Sequence, residues 1–340
     1  MRASGPWLAT VLPVLNEEPY IYACIESLLH QTLPAHEHII VVLDGGSNDA
    51  TKDIIQEIQK KRDSDKHPEL FLYDNPGRFV PHARNLALDK LPTSVTHILE
   101  FNGHIEVGKN HLINLKSTWS RLESEHPQLA ALGCRVVGFE AGRGKIESII
   151  DTSLASPLGG GTGQFATFNQ EGPTNIPAFA LHRRSAIESI GGWDESFLTS
   201  QDSDLSMRLR KAGFELFRTP SVVVKMRRRT TFKSWFLMCH RYGFWRTKLL
   251  LKHPDRLVLR EFLPLFGIAI TAILFFLYPQ AAFIPALSYL AILSLTGLMH
   301  IKKGIFHAVG VPFSLLLLHS GFTLGLLDGL IRKGRQARDR

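Results

Sequence analysis

Three short stretches combine residue types that could do chemistry. Asp44-Gly45-Gly46-Ser47-Asn48-Asp49 sets a carboxylate before two glycines. It is neither a G-x-x-x-x-G-K-[ST] phosphate loop nor a G-x-G-x-x-G fingerprint. A carboxylate so placed can accept a hydrogen bond from the N–H of a planar base, with bare backbone close by. It can equally be a turn residue. Asn102-Gly103-His104 lies between Glu100 and Glu106. Such a triplet can hold a divalent cation against a diphosphate, with His104 a competent ligand for Mn²⁺-like ions and Asn102 supplying a neutral oxygen. It can also be an ordinary turn. Gln201-Asp202-Ser203-Asp204 opens a stretch in which Leu205, Leu209 and Ala212 mark one helical stripe, ended by Gly213. Asp202 therefore stands at a helix N-terminus, where it caps the helix or takes a proton from an incoming hydroxyl.

The elements that must position these stretches alternate. Leu8–Leu15 is an apolar run and reads as a buried strand. Asn16 offers an N-cap, Glu17 and Glu18 suit a first turn, and Pro19 is tolerated there. Ile21, Ile25, Leu28 and Leu29 follow at helical spacing. Strands are expected at His38–Leu43, Glu69–Tyr73 and Thr96–Phe101, and helices at Thr51–Lys61 and Val80–Leu91. This order implies a mostly parallel sheet with helices on both faces, with ligands beyond the carboxyl ends of its strands. The loops after Leu15, Leu43 and Phe101 are then the ones that matter.

The chain has 340 residues and a net charge of +8. Residues 1–224 hold 21 Lys and Arg against 27 Asp and Glu, whereas residues 225–340 hold 18 against 4. An acidic front half argues against a protein that wraps nucleic acid along its length. Three scattered cysteines, with no C-x-x-C pair, give no disulfide or zinc framework and suit a reducing compartment. The N-terminus shows no apolar secretory core. Phe262 to Ile301 contains no Asp, Glu, Lys or Arg, and neither does Gly304 to Leu327. Pro279-Gln280 splits the first stretch into lengths near the roughly 17–25 residues of a bilayer crossing. Soluble core helices keep a polar stripe, which these segments lack. Two or three membrane segments are expected, the third interrupted by Gly310 and Pro312 in the manner of a kink or re-entrant hairpin.

Residues 225–260 carry eleven Lys and Arg and one acid, mixed with Phe232, Trp235, Phe236, Tyr242, Phe244 and Trp245. They run directly into a bilayer-length segment, so anionic headgroups explain them better than nucleic acid does. This segment, Lys302-Lys303 and the basic tail cannot all be cytoplasmic if three segments cross.

In this order the motifs resemble those of the inverting glycosyltransferases of family 2. They are Leu12-Pro13-Val14-Leu15-Asn16-Glu17-Glu18, Asp44-Gly45-Gly46-Ser47-Asn48-Asp49-Ala50-Thr51, Ala83-Arg84-Asn85, Asn102-Gly103-His104, Gly191-Gly192-Trp193-Asp194-Glu195 and Gln201-Asp202. With Arg241-Tyr242-Gly243-Phe244-Trp245 they look most like the succinoglycan-type glucosyltransferases of exopolysaccharide assembly. The resemblance covers roughly residues 8–250 and implies a GT-A fold, an α/β Rossmann-like sheet. Residues 1–224 would be the catalytic domain, 225–261 a basic interfacial segment, 262–330 the membrane region and 331–340 a basic tail.

The resemblance also implies roles. Pro13 and Glu17 would line the nucleotide pocket, and Asp44 would accept from uracil. Arg84 and Arg241 would lie near the ribose or diphosphate. Asn102, Gly103 and His104 occupy the place of the family's metal motif, where Asn102 replaces an Asp. Trp193 would border the acceptor, Gln201 would sit beside it, and Asp202 would be the catalytic base. The glycine run from Gly159 to Gly163 would be a linker or a loop closing over the sugar. A nucleotide-sugar donor, a lipid-linked saccharide acceptor, membrane lipids and an Mn²⁺ or Mg²⁺ ion would be the partners, with the catalytic domain on the cytoplasmic side of the inner membrane. The alternatives are a polyprenyl-phosphate sugar transferase and a non-catalytic sugar-nucleotide-binding scaffold.

Overall fold

The computed structural model describes residues 5–140, 142–160 and 168–332. The chain divides into two compact units, one of residues 1–137 and 163–227, the other of residues 138–162 and 228–340.

Among the described residues the first unit is built on nine strands. They are β1 (Leu8–Val14), β2 (His38–Asp44), β3 (Glu69–Asp74), β4 (His97–Glu100), β5 (Ile105–Val107), β6 (Leu129–Val137), β7 (Gly172–Pro173), β8 (Leu181–Arg183) and β9 (Glu215–Met226). Their order is β3-β2-β1-β4-β8-β6-β9-β5, with β7 also on β9. β3, β2, β1 and β4 are parallel, as are β6 and β9, while β8 runs antiparallel between β4 and β6. The unit's helices are α1 (Ile21–Leu29), α2 (Thr51–Lys61), α3 (Val80–Lys90), α4 (His111–Glu125), α6 (Arg184–Ser189) and α7 (Gln201–Lys211).

The central strands are apolar on both faces because both are covered. Leu12, Val14, Ile40 and Val42 pack with Ile25 and Leu28 of α1 and Leu115 and Trp119 of α4. On the opposite face Val11, Ile39 and Val41 pack with Ala83 and Ala87 of α3 and Leu205 and Leu209 of α7. Pairing of Val14 with Asp44 and of Val11 with Glu100 brings the carboxyl ends of β1, β2 and β4 to one edge. One expectation fails locally. Asn16 does not cap α1, which starts at Ile21 after Tyr20. Instead Asn16 sits at φ 56°, and the Glu17 carbonyl accepts from the Tyr20 and Ile21 N–H groups.

The second unit is helical: α5 (Lys145–Ala155), α8 (Phe232–Lys252), α9 (Leu263–Leu277), α10 (Ile284–Met299) and α11 (Ile305–Ile331). α8 and α11 approach backbone to backbone. A Cβ on Gly243 would lie 2.0 Å from the Phe322 carbonyl oxygen, and one on Gly325 equally close to that of His240. Gly321, Gly325 and Gly329 recur every four residues and so share this face. Trp235, Phe244 and Trp245 of the basic segment are buried within the unit, so they are not an exposed interfacial face. Segments Leu259–Leu277, Pro279–Met299 and Ile305–Ile331 are each long and apolar enough to cross a membrane. α11 continues unbroken through Pro312 and does not turn back. The Ala308 carbonyl that Pro312 cannot bond lies where Gly297 of α10 lets it approach. Of the glycine run, Gly159 and Gly160 close the end of α5 through N–H bonds to the Ser156 and Leu154 carbonyls, whereas residues 161–163 lie outside the described residues. The tail residues 333–340 lie outside them too.

Candidate active site

The loops after β1 and β2 interlock, and almost every residue of their two motifs takes part. The Asn16 N–H donates to Ser47 Oγ at 2.9 Å, and the Asn48 N–H returns a bond of 2.9 Å to Asn16 Oδ1. The Glu17 N–H donates to Thr51 Oγ1 at 2.8 Å, the Glu18 N–H to Asp49 Oδ2, and the Ala50 N–H to Glu18 Oε2. Gly45 is demanded by a close approach, since a Cβ there would stand 2.4 Å from the Arg78 carbonyl oxygen. Gly46 is demanded by its φ of 84°.

Asp44 ends β2 with its side chain 1 % exposed. Its carboxylate accepts the N–H groups of Gly46 and Ser47, each at 3.0 Å to Oδ2. It therefore does hold the turn, and Oδ1 keeps acceptor capacity beyond a longer bond of 3.3 Å from the Ser47 N–H.

The third loop docks onto this pair. A Cβ on Gly103 would meet Glu17 Cγ at 2.9 Å and Val14 Cγ1 at 3.1 Å, so glycine lets residues 102–104 lie against β1. His104 Nδ1 lies 2.9 Å from Glu17 Oε1 and donates to that carboxylate. This bond fixes the ring and leaves Nε2 as its second nitrogen. The Asn102 carbonyl accepts from Cys24 Sγ, whose thiol is pushed up to about 12 by burial. The structure thus brings Glu17, Asp44, Asn102, Gly103 and His104 together at one edge, with Pro13 in β1 immediately before them.

Among the described residues no three His, Cys, Asp or Glu side chains converge as a metal cage. The donor set is one oriented imidazole and one neutral amide oxygen. Such a set fits a divalent cation only if other oxygens, those of a bound diphosphate, complete the shell.

Arg84 and Trp193 lie elsewhere, in a closed cluster of the same unit. Arg84 is 5 % exposed, with Nη1 3.3 Å from Glu100 Oε2 and its guanidinium carbon 5.7 Å from the centre of the Trp193 ring. Trp193 Nε1 donates to Glu100 Oε1 at 3.1 Å, and His182 Nε2 lies 3.3 Å from the same oxygen. Burial alone would raise the Glu100 carboxyl, but Arg84, His182 and Trp193 outweigh it and hold it below the usual carboxylate range. The Trp193 ring is buried, so it supports this region from behind.

Asn85 fixes the backbone beside it. Its Oδ1 accepts the Trp193 N–H and its Nδ2 donates to the Trp193 carbonyl, each at 2.9 Å. Sequence reasoning named Arg84 and Trp193 but not Asn85 or His182 as their partners. One signal was present: Glu100 is a charge directly after the apolar Ile98 and Leu99 of the strand His97–Glu100, where it needs a partner.

Asp202 is the second residue of α7, and its Oδ1 accepts the Ser203 N–H at 2.8 Å. Gln201 is the first. α7 is tied to the preceding glycine turn by Arg208, which bonds Asp204 at 2.8 Å and the Ile190 and Gly192 carbonyls at 2.9 and 2.7 Å. Arg241 lies on α8 in the second unit.

Comparison with known proteins gives concordant results. Residues 10–191 match the family described as Glycosyl transferase family 2, and residues 124–325 match Glycosyl transferase family group 2. The chain is similar to the dolichyl N-acetyl-alpha-D-glucosaminyl phosphate 3-beta-D-2,3-diacetamido-2,3-dideoxy-beta-D-glucuronosyltransferase of Methanococcus voltae. They are 26 % identical over 332 residues, covering 96 % of this chain and 98 % of the relative. It is also 28 % identical over 255 residues to the succinoglycan biosynthesis protein ExoA of Rhizobium meliloti, covering 75 % and 73 % of the two chains. The mannosyltransferase PcManGT from Pyrobaculum calidifontis, solved with GDP-Man and Mn²⁺, superposes with a TM-score of 0.62 at 15 % identity, covering 97 % of this chain and 89 % of that one. The last likeness bears on the fold alone.

Proposed function

The chain belongs to glycosyl transferase family 2 and is a glycosyltransferase, and from that premise we propose that it transfers a sugar from a UDP-sugar to a lipid-linked saccharide with inversion at the anomeric carbon. The observation that carries the acceptor is the similarity to the Methanococcus voltae transferase. Its name gives a dolichyl phosphate sugar as acceptor, and the match spans nearly all of both chains. Three helices long and apolar enough to cross a membrane suit a lipid-borne substrate. The basic segment 225–260 supports a cytoplasmic catalytic unit at the inner membrane.

In this reading the edge formed by Pro13, Glu17 and Asp44 receives the nucleotide. Asp44 accepts the base N–H with the lone pairs that its turn leaves over, and Gly46, which faces open space, lets the base approach the backbone. His104 and Asn102 would hold a divalent cation, which when bound would stabilise the charge gathering on the departing diphosphate. Glu17 keeps His104 oriented. Arg84 acts through Glu100 and Trp193 as a positioning residue, because its guanidinium is turned into the protein. Asp202, on the first turn of α7, takes the proton of the attacking hydroxyl. Gln201 precedes it on the same turn.

The test is transfer by the purified, detergent-solubilised full-length protein, offered a panel of nucleotide sugars with Mn²⁺ or Mg²⁺ and a short polyprenyl-diphosphate sugar. Asp202→Asn should lower turnover by about 10²–10⁴-fold, the usual worth of a general base. A mild loss would indicate an acceptor that is already ionised, such as a polyprenyl phosphate. Donor binding without any transfer would indicate a scaffold.

A further inference from the structure

The second unit carries a cluster of bases that the glycosyl-transfer reading does not use. Arg143 and Lys145 stand at the start of α5, and Lys302 and Lys303 lie between α10 and α11; all four are exposed. The unit's fold brings the two groups together. Lys303 Nζ donates to Thr152 Oγ1 of α5 at 3.4 Å, and Lys145 Nζ lies 4.3 Å above the ring of Phe306 in the first turn of α11. Ser148 Oγ and His307 Nε2 are 2.9 Å apart across the same junction.

The two acids of α5 are already engaged. Asp151 is taken by the buried Arg228, at 2.9 Å to Nε and 2.8 Å to Nη2, and by Arg143 at 3.6 Å. Glu147 accepts the Gly144 N–H and so closes the start of its own helix. Among the described residues no ion pair joins Lys145, Lys302 or Lys303 to a carboxylate. The positive field is felt locally: His300 is held below its ordinary value by burial first and by Lys303 and His307 next.

The surroundings select the ligand. Residues 300–304 join two segments long and apolar enough to cross a bilayer. Met299, Ile301, Ile305 and Phe306 around the bases are all exposed, at 78, 48, 63 and 62 %. A soluble phosphate has no use for that apolar rim, whereas a phosphate attached to a hydrocarbon chain uses both parts. Ser148 and Thr152 of α5 hold the junction from beneath, Ser148 by its contact with His307 and Thr152 by accepting Lys303 Nζ.

We propose that Arg143, Lys145, Lys302 and Lys303, backed by Ser148 and Thr152, form a binding site for the phosphate group of a membrane lipid. Two lipids share that chemistry, an anionic phospholipid and a polyprenyl phosphate. The proposal rests on the membrane reading of α9 to α11, and it does not require any particular donor sugar.

The experiment is native mass spectrometry of the full-length protein released from nanodiscs. The discs contain phosphatidylcholine alone, phosphatidylcholine with phosphatidylglycerol, or phosphatidylcholine with a polyprenyl monophosphate. The wild type should retain an added phosphate lipid at occupancies well above phosphatidylcholine. Lys145→Gln/Lys303→Gln should lower that occupancy about ten-fold, since two headgroup-facing charges are lost. Lys60→Gln/Lys109→Gln removes the same charge from exposed positions of the first unit and should leave it unchanged. Both exchanged lysines of the test variant are exposed, and an unchanged melting temperature shows that the fold persists.

Retention of both phosphate lipids assigns a general headgroup site. Retention of the polyprenyl phosphate alone assigns an acceptor site. Equal occupancy in wild type and test variant, or equal loss in the control variant, overturns the proposal. Binding is read without turnover, so an inactive protein that still retains the lipid would count against the transfer reading and leave this site standing.

Discussion

The first unit contains two polar clusters built on opposite plans. At the sheet edge, Asp44 and Glu17 are satisfied by backbone N–H groups and by an imidazole, and the loops around them are held by many neutral bonds. In the interior, Glu100 is satisfied by a guanidinium, an imidazole and an indole, with little water in reach. Each bond of the edge contributes about 1 kcal/mol net, so its order is spread over many replaceable parts. The interior cluster is closer to all-or-none, because removing one partner strands a buried charge. An edge of the first kind can adjust to a ligand. A cluster of the second kind keeps β4, α3 and the Trp193 turn in one arrangement beneath it.

The largest expected effect breaks the interior cluster. Glu100→Leu or Arg84→Met should each cost about 3–5 kcal/mol, because a charge is left buried without its partner. The double change Arg84→Met/Glu100→Leu should cost clearly less than the two single costs added together. Denaturant unfolding of the first unit within the solubilised protein measures this cycle. Additive single effects would show that the pair is not coupled, and the contrast with the edge would collapse.

Acid probes the same interior more gently. His97 and His111 are pushed down to about 4 and His38 to about 3, by burial in each case. They stay neutral in the folded chain while the unfolded chain takes up protons below about pH 6.5. Stability should therefore fall from pH 6.5 downward, by about 1.4 kcal/mol per pH unit for each histidine, until its folded value is reached. Glu100 has the opposite character. Its lowered carboxyl contributes stability that is present above the unfolded value of about 4.3 and disappears as pH falls through the folded one. Melting temperatures recorded from pH 8 to 4 should decline before the carboxylate range is reached. A flat profile down to pH 5 would mean that these histidines are not held neutral.

Much of this was legible in the sequence, and the failures are instructive. β1, β2 and α2 follow from apolar runs and helical spacing, because central parallel strands and amphipathic helices leave strong local patterns. Asn16 was misread since a polar residue after a strand resembles a cap. Its actual partners, Ser47 and Asn48, lie about thirty residues away and no local rule reaches them. His182 was missed for the same reason: its strand β8 enters the sheet antiparallel from far along the chain. The grouping of residues 138–162 with the apolar helices has no compositional sign, since α5 looks like any helix of a soluble domain.

At the edge the expected effects are smaller. Asp44→Ala leaves the Gly46 and Ser47 N–H groups without their acceptor, which should cost about 1–3 kcal/mol of stability. Its functional mark should be a raised donor KM with kcat little changed, as for a contact made equally in the ground and transition states. A reduced kcat at unchanged KM would assign Asp44 to the turn and not to the base.

The smallest effect is expected from Asn102→Asp, and it sharpens the contrast most. Asn102 is only half-buried, at the end of β4, next to a histidine already oriented by Glu17. A new carboxylate there remains partly hydrated, so it should be tolerated where one more charge beside Glu100 would not be. The change adds an anionic oxygen to a donor set that otherwise offers an imidazole and a neutral amide. Hard divalent cations gain from that exchange, and the gain should be larger for Mg²⁺ than for Mn²⁺, because Mn²⁺ already accepts imidazole well. Titrating each metal into protein saturated with UDP should therefore show tighter binding of both, with the ratio between them reduced, at an unchanged melting temperature. His104→Ala in the same background should remove the preference for Mn²⁺. If neither substitution alters either titration, the triplet is a turn, and the edge is built for the nucleotide alone.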